Sequence, residues 1–439
     1  MRLPFNGETR VFSSSRVKRT EMFAPRRGSF KEKDEIKIHD KFMKKIFVFT
    51  RLSLCLIALC LSAAAQDFRT VADGVEYAET TRALNGEPVK INLLRLDLKK
   101  VRLDAVHALD QAIGLETTSS MAKRHGALAA INAGFFRLDR SPFAGDSTGV
   151  LMIDRKLLSE SFGNRIALGL INKKNKTEVV FGRLEAAGAI GYFRNGQKRF
   201  DGINRERRKN EIILYTPEIK RTPVVEYQTT EIIFRDCEFG CRRAEVAENA
   251  GGTVIPQNGY IVSIGERATK EFIAEYMKER AGKELPERAT FFEFLAIADD
   301  KAPGRSDRRN LKKFKQAEDI ISGVPQLIKN GKIEITWERE KSSKAFVETR
   351  HPRTAVAKLR DGKFLMVTVD GRQPGASVGM NLNELTAFLL EQGATDAMNL
   401  DGGGSTTMFL NGRVVNRPSD KEGERKVGDA ILVFPRRKN

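Results

Sequence analysis

The 439-residue sequence has only four cysteines and four histidines. Cys55 and Cys60 lie in an N-terminal apolar run, which leaves Cys237 and Cys241 for the rest of the chain. That pair offers too few ligands for a cysteine-rich metal site, and His107, His125 and His351 stand far from it in sequence. Its spacing, C-E-F-G-C, points in an exported chain to a local disulfide, with free thiols as the alternative. Beyond the N-terminus there is no second long apolar run, no internal repeat and no low-complexity linker. The glycine run Gly402-Gly403-Gly404 is followed by Ser405, with no lysine, so it is not a phosphate-binding P-loop. Thr407 stands where a nucleophile elbow would need glycine.

Apolar residues make up 41% of the chain, enough for a sizeable core and too many for wholesale disorder. The net charge is +19. Residues 1–42 carry 11 Lys/Arg against 6 Asp/Glu, and residues 43–65 add three positive charges, which leaves +11 on the remainder. Such a surface favours anionic partners: phosphates, acidic glycans, anionic lipid or nucleic acid. Nucleic acid is disfavoured, because no zinc or RNA-module pattern accompanies the charge.

From Met43 the chain reads as a secretory signal. Lys44 and Lys45 precede an apolar run, Leu52 to Leu61, and Ala63-Ala64-Ala65 offers a cleavage site. The run is short for a membrane span, so no stable span is expected after cleavage. The expected organisation is a basic, polar extension over 1–42, a signal peptide over 43–65 and one domain over 66–439, placed in the periplasm or secreted. An uncleaved anchor is the alternative. Leu59 before Cys60 is a poor fit to a lipoprotein site.

Short alternating stretches follow, among them VKINLLRLDL and ALAAINAGFF, with a helix expected over TTSSMAKRHG and another over TKEFIAEYMKERAG near 269–282. Residues 301–317 read as an exposed basic loop or helix. Near the C-terminus the apolar run Phe364 to Val369 ends at Asp370, NLNELTAFLLEQG reads as an amphipathic helix, and DAMNLD ends at Asp401. Strand, helix, strand at this spacing predicts a βαβ crossover with parallel strands. The expected fold is therefore α/β, a mixed multi-stranded sheet with helices packed on it. STTMFLNGRVV reads as a hairpin around Asn411-Gly412.

A crossover of this kind would put Asp370 and Asp401 at one sheet edge, where open α/β sheets hold ligands. Two such carboxylates can act as base, nucleophile or oxygen ligands for a hard cation such as Ca²⁺ or Mg²⁺. The sequence does not say which metal, if any, is used. Glycines after Asp401 let backbone N–H groups approach an anion, and Ser405 and Thr406 can add hydroxyl donors. Arg353 in RHPRTAV can grip a phosphate with two parallel hydrogen bonds.

INAGFF (131–136), GINR (202–205), LYTP (214–217), HPRTAV (351–356), VDGR (369–372) and NLDGGGSTTM (399–408) occur in an order and spacing that resembles the phosphodiester glycosidase family. That family includes a lysosomal uncovering enzyme and bacterial exported proteins linked to exopolysaccharide. The resemblance spans roughly residues 75 to 435. Ala357 and Val324 depart from it where glycines are expected. It implies hydrolysis at the anomeric carbon of a sugar linked through phosphate, with a carbohydrate or sugar-phosphate substrate. On this reading Asp370 and Asp401 are catalytic. Asn132, Arg353, Gly402, Gly403, Gly404, Ser405 and Thr406 bind substrate. The alternative is a non-catalytic glycan-binding protein of exopolysaccharide assembly.

Overall fold

A computed structural model describes residues 67–193, 196–237, 243–266, 290–296 and 305–436. The elements used below are, in chain order, β1 (Glu87–Leu96), β2 (Val101–His107), β3 (Ala129–Asn132), β4 (Lys176–Phe193), α1 (Arg305–Phe314), β5 (Asp319–Ser322), β6 (Gln326–Lys329), α2 (Lys344–Glu348), β7 (Arg353–Leu359), β8 (Phe364–Val369), α3 (Leu382–Glu391), β9 (Ala394–Asn399), β10 (Met408–Leu410) and β11 (Asp429–Pro435).

The largest sheet has eight strands. Its central order is β1-β8-β7-β9-β6, flanked by Arg69–Ala72 and Val75–Leu84 on one side and Lys332–Ile333 on the other. Every pairing in it is antiparallel. A five-stranded sheet runs Arg413–Val414, β10, β3, β11, β2, and a seven-stranded sheet contains β4 and β5.

The fold is thus dominated by antiparallel sheet, and this corrects the α/β expectation. The expected crossover also changes meaning. Helix α3 does join β8 to β9, and the two strands run the same way, since each is antiparallel to β7. They are not neighbours, because β7 lies between them. Two strand spacings, roughly 10 Å, therefore separate the strands that end at Asp370 and near Asp401. The cause is the β7–β8 hairpin. It forms over the short turn at Gly362, and β9 then pairs with the free edge of β7.

Why these strands are central follows from their side chains. In β8 every residue is buried. Phe364 and Met366 face one core; Leu365, Val367 and Val369 face another. A continuous apolar run of this kind suits a strand covered on both faces. Helix α3 supplies one cover with Leu382, Leu385, Phe388 and Leu389. It starts at a capping box: the Asn381 side chain accepts from Glu384 N at 2.9 Å, and Glu384 Oε2 accepts from Asn381 N at 3.0 Å. Such caps are worth about 1 kcal/mol.

Other expectations can be placed directly. TTSSMAKRHG contains a helix, Thr118–Arg124, capped by Thr117 accepting from Ser120 N. The basic stretch 301–317 carries α1. The helix expected over 269–282 lies outside the described residues. Cys237 is disulfide-bonded, and Cys241 lies outside the described residues. Among the described residues, no helix is long and apolar enough to cross a membrane.

Candidate active site

The ends of β3, β5 and β9, together with the starts of β7, β10 and β11, meet around the turn that follows β9. Backbone hydrogen bonds fix that turn from two sides. Leu400 N donates to Thr354 O at 2.8 Å on β7, and Asp401 N donates to Ala133 O at 2.9 Å, just past β3. Gly403 N donates to Pro352 O at 2.9 Å. Gly403 has φ +61, and a Cβ there would lie about 3.1 Å from the Arg372 guanidinium. A Cβ on Gly404 would collide at 2.2 Å with both Arg425 Nη2 and Asp420 Oδ1. The missing side chains therefore let two arginines close on the turn.

Asn132 is the clasp between the two large β regions. It is fully buried, and both ends of its amide are bonded within the protein. Nδ2 donates to Asp401 O at 2.7 Å, and Oδ1 accepts from Thr354 Oγ1 at 2.9 Å and Thr407 N at 3.0 Å. Arg353 is buried as deeply. Its Nε donates to Met380 O at 2.9 Å, and its Nη2 donates to Phe346 O at 2.8 Å and Thr349 O at 2.7 Å, at the end of α2. Burial and the Arg372 charge bring its pKa down to about 10. Asp370 is buried too; Asn416 Nδ2 and Arg417 N donate to its carboxylate at 3.1 Å each. Asn416 also donates to Thr406 O at 3.0 Å and accepts from Met408 N at 2.7 Å. Asp370 therefore reaches the glycine turn through Asn416. Of the turn's own N–H groups, Gly402 donates to Asp401 Oδ1 at 3.0 Å and Gly403 to Pro352 O.

Asp401 keeps partial solvent contact, but its carboxyl is packed among protein atoms. Desolvation pushes its pKa up to about 6, against the opposing pull of Ser405, Gly402 N, Arg425 and Arg165. Its charge acts on a second carboxyl that sequence reasoning missed. Asp429 opens β11, is buried, and accepts a hydrogen bond from Gly134 N. Desolvation, with a further push from Asp401, raises it to about 7. Two carboxyls that burial pushes up, one of them further raised by the other's charge, hold fewer than two negative charges near neutrality.

Around this pair several buried polar atoms make no hydrogen bond: Ser322 Oγ, Asn399 Oδ1, Ser405 Oγ, Thr407 Oγ1 and Arg165 Nε. Ser405 lies close enough to Asp401 to temper its pKa without a well-formed bond. Arg165 donates to Thr148 O, packs over Phe135 and Phe162, and feels the charge of Asp401. An unsatisfied buried polar atom costs about 1–3 kcal/mol, so a cluster of them at one place marks a site shaped for a polar ligand.

The rim is cationic. Arg372 is exposed, with φ +59, and its Nη2 lies 3.3 Å from His351 Nδ1. Burial and the Arg353 and Arg372 charges lower the His351 pKa, which favours its neutral ring. Arg425 is held by Asp420 at 2.7 Å. Among the described residues no group of three His, Cys, Asp or Glu stands together as a metal site. Asp429, Arg165, Arg372 and Arg425 were not singled out from sequence. For Asp429 the signal was there: one acid opening an otherwise apolar strand, DAILVF.

Residues 242–434 match the family model for phosphodiester glycosidase. Over that stretch the chain is similar to the phosphodiester glycosidase family. The match takes in Arg353, Asp370, Asp401 and Asp429; Asn132 and Arg165 precede it. The chain is 40% identical over 110 residues to the bovine N-acetylglucosamine-1-phosphodiester alpha-N-acetylglucosaminidase, which is 23% of this chain and 20% of that protein. The human enzyme of the same name is 40% identical over 111 residues, 23% of this chain and 21% of it. The chain thus spans about a fifth of the length of these curated relatives. A hypothetical protein from Synechocystis has a crystal structure that superposes with TM-score 0.65 at 21% identity, over 85% of this chain and 64% of that one. A Burkholderia pseudomallei protein, provisionally described as exported, superposes with TM-score 0.64 at 22% identity, over 80% of this chain and 75% of that one. These two likenesses concern the fold alone.

Proposed function

We propose that the chain is an exported hydrolase that cleaves glycosyl phosphodiesters at the anomeric carbon. The observation that carries this reading is the buried Asp401–Asp429 pair at a glycine turn flanked by Arg372, Arg425 and Arg165. A glycosyl phosphodiester asks for both halves of such a site. Its phosphate needs cations, and its sugar needs a carboxylate at the anomeric carbon.

Arg372 and Arg425 hold the phosphate over the turn. Asp401, the more readily ionised of the two, faces the anomeric carbon, and Asp429 retains its proton. The bond from that carbon to the phosphate oxygen breaks with its electron pair passing to phosphate. Water supplies the new oxygen, and its proton passes to Asp401. The departing monoester has a second pKa of about 6, so it leaves with little need of a general acid. Asp370 acts as a positioning residue through Asn416. The family match and the two N-acetylglucosamine-1-phosphodiester relatives support this substrate class. The signal-like segment 43–65 and the provisionally exported structural relative support a place outside the cytoplasm.

The test is turnover of a nucleotide or aryl glycosyl phosphodiester by the purified chain, with Ca²⁺, Mg²⁺ and EDTA arms. Asp401→Asn should cut kcat by roughly a hundredfold or more while the thermal melt stays within a few degrees. Saturable sugar-phosphate binding without turnover in any arm would move the chain to a glycan-binding role instead.

A further inference from the structure

The sheet edge opposite the active site carries a second basic concavity. Two cavities of about 260 and 480 Å³ lie side by side there and share Val179, Lys313 and Lys358 as lining. Strand β7 relates them to the active site. Arg353 begins that strand beneath the glycine turn, and Lys358 stands five residues further along it. That is about 17 Å at strand rise.

The cations arrive from separate elements. Arg309 and Lys313 come from α1, Lys358 from β7 and Lys99 from the turn after β1. Among the described residues these four form no ion pair. Helix α1 is anchored, which sets where Arg309 and Lys313 leave the backbone: Asn310 Nδ2 donates to Phe181 O at 3.1 Å, and buried Phe314 packs against Gly169 and Gly182. The described lining holds four acids, Asp97, Glu178, Asp361 and Asp396, and each accepts bonds from neighbours: Asp97 from Lys99 N and Asp361 from Lys363 N, both at 3.0 Å. Asp396 pairs in register with Lys358, but its carboxylate accepts from Asn330 N at 3.4 Å and Thr395 Oγ1 at 3.1 Å. Glu178 is bridged by Lys173 and Lys176 at 2.8 Å each.

We propose that these joined cavities form an anchoring groove for an anionic glycan chain, distinct from the site that cleaves it. The glycan class rests on the proposed function; the anionic requirement rests on the groove alone. The lining argues against the other polyanions. Among the described residues its one aromatic, Phe181, pairs with Phe364 at 6.5 Å and offers no stacking platform for bases. Among the described residues none of the large exposed apolar side chains lines it, so the described lining lacks the apolar contact of a lipid-seated surface. A chain held there keeps its phosphodiester links at high effective concentration near the cleaving site.

The experiment measures binding separately from turnover. Full-length protein is titrated with a short dextran phosphate, with neutral dextran of the same length, with a single-stranded oligonucleotide and with vesicles of anionic lipid. Dextran phosphate should bind in a salt-sensitive way and neutral dextran should not. Lys313→Glu with Lys358→Glu should weaken dextran phosphate binding by about tenfold or more, through two lost charge-assisted contacts. The neutral pair Lys313→Gln with Lys358→Gln, with its melt recorded, should weaken it by a smaller factor. Turnover of a monomeric glycosyl phosphodiester should be unchanged in both. Equal dextran phosphate binding by wild type and both variants would overturn the groove. Tighter binding of the oligonucleotide or vesicles than of dextran phosphate would overturn the glycan. Wild type that binds dextran phosphate, loses that binding in the variants and turns over no glycosyl phosphodiester would count against the proposed function and leave the groove standing.

Discussion

Arg353 and Arg372 stand on opposite sides of the same glycine turn, each in a short motif that resembles one family, and they do opposite things. Arg353 is buried, and its guanidinium is spent on three backbone carbonyls, two at the C-terminal end of α2 and one at Met380. Arg372 is exposed, sits in the left-handed region and lies against Gly403. A planar five-donor fork can grip a phosphate or staple a loop equally well. Which task it performs depends on which carbonyls the fold brings within reach. The HPRTAV arginine holds the wall of the site, and the VDGR arginine faces its opening.

The largest effect should come from breaking the wall. Arg353→Met takes the side-chain donor from Phe346 O and Thr349 O, leaves Met380 O with His351 N alone, and empties a fully buried guanidinium site, so about 3–5 kcal/mol of stability should be lost. Denaturant melts of the variant at neutral pH check this. A variant that melts like wild type yet no longer binds sugar phosphate would reverse the assignment and make Arg353 the phosphate grip.

Much of the local structure was legible in the sequence, and the partners of each element were not. The cap of α3, the apolar strands β8 and β9, and the Asn411-Gly412 hairpin between β10 and Arg413–Val414 all follow from side-chain pattern. Fold class failed because periodicity reports which face a strand buries, not which strand lies beside it. The β7 insertion between β8 and β9 depends on a long-range pairing that no local pattern encodes. The same limit acted on the site. Asp401 was visible because its glycines announced a special turn. Asp429 was hidden in an apolar strand, because its partner Asp401 and its donor Gly134 come from distant segments. Asn132 looked like a free strand-end amide until the chains it bonds were placed around it.

Next in size is a pH effect that separates Asp429 from the wall residues. Its folded pKa, about 7, lies above its ordinary value of 3.8. Between those values the unfolded chain has released the proton and the folded chain has kept it. Stability contributed by this group is therefore present at acid pH and lost as pH rises toward 7, by up to about 1.4 kcal/mol per pH unit. Asp429→Asn, which can still accept from Gly134 N, should flatten the fall measured by melts from pH 5 to 8. Asp146 and Asp319, also pushed to about 7 by burial, keep their share, so the slope should shrink by one proton rather than vanish. An unchanged slope would mean Asp429 is ionised across this range, and its role as the carboxyl that keeps its proton would fail.

The smallest effect should fall on the exposed arginine, and it completes the contrast. Among the described residues the Arg372 side chain makes one hydrogen-bond contact, the 3.3 Å approach to His351. Arg372→Ala should therefore leave the melt within about 0.5 kcal/mol of wild type, the range of ordinary surface substitutions. It should raise KM for a glycosyl phosphodiester by about tenfold through one lost charge-assisted contact. Arg372→Lys should recover only part of this, because an ammonium keeps the charge and loses the fork. Full recovery by lysine would mean that charge alone is read at the opening of the site. No change in KM with alanine would leave Arg425 and Arg165 as the phosphate's partners and place Arg372 outside the site.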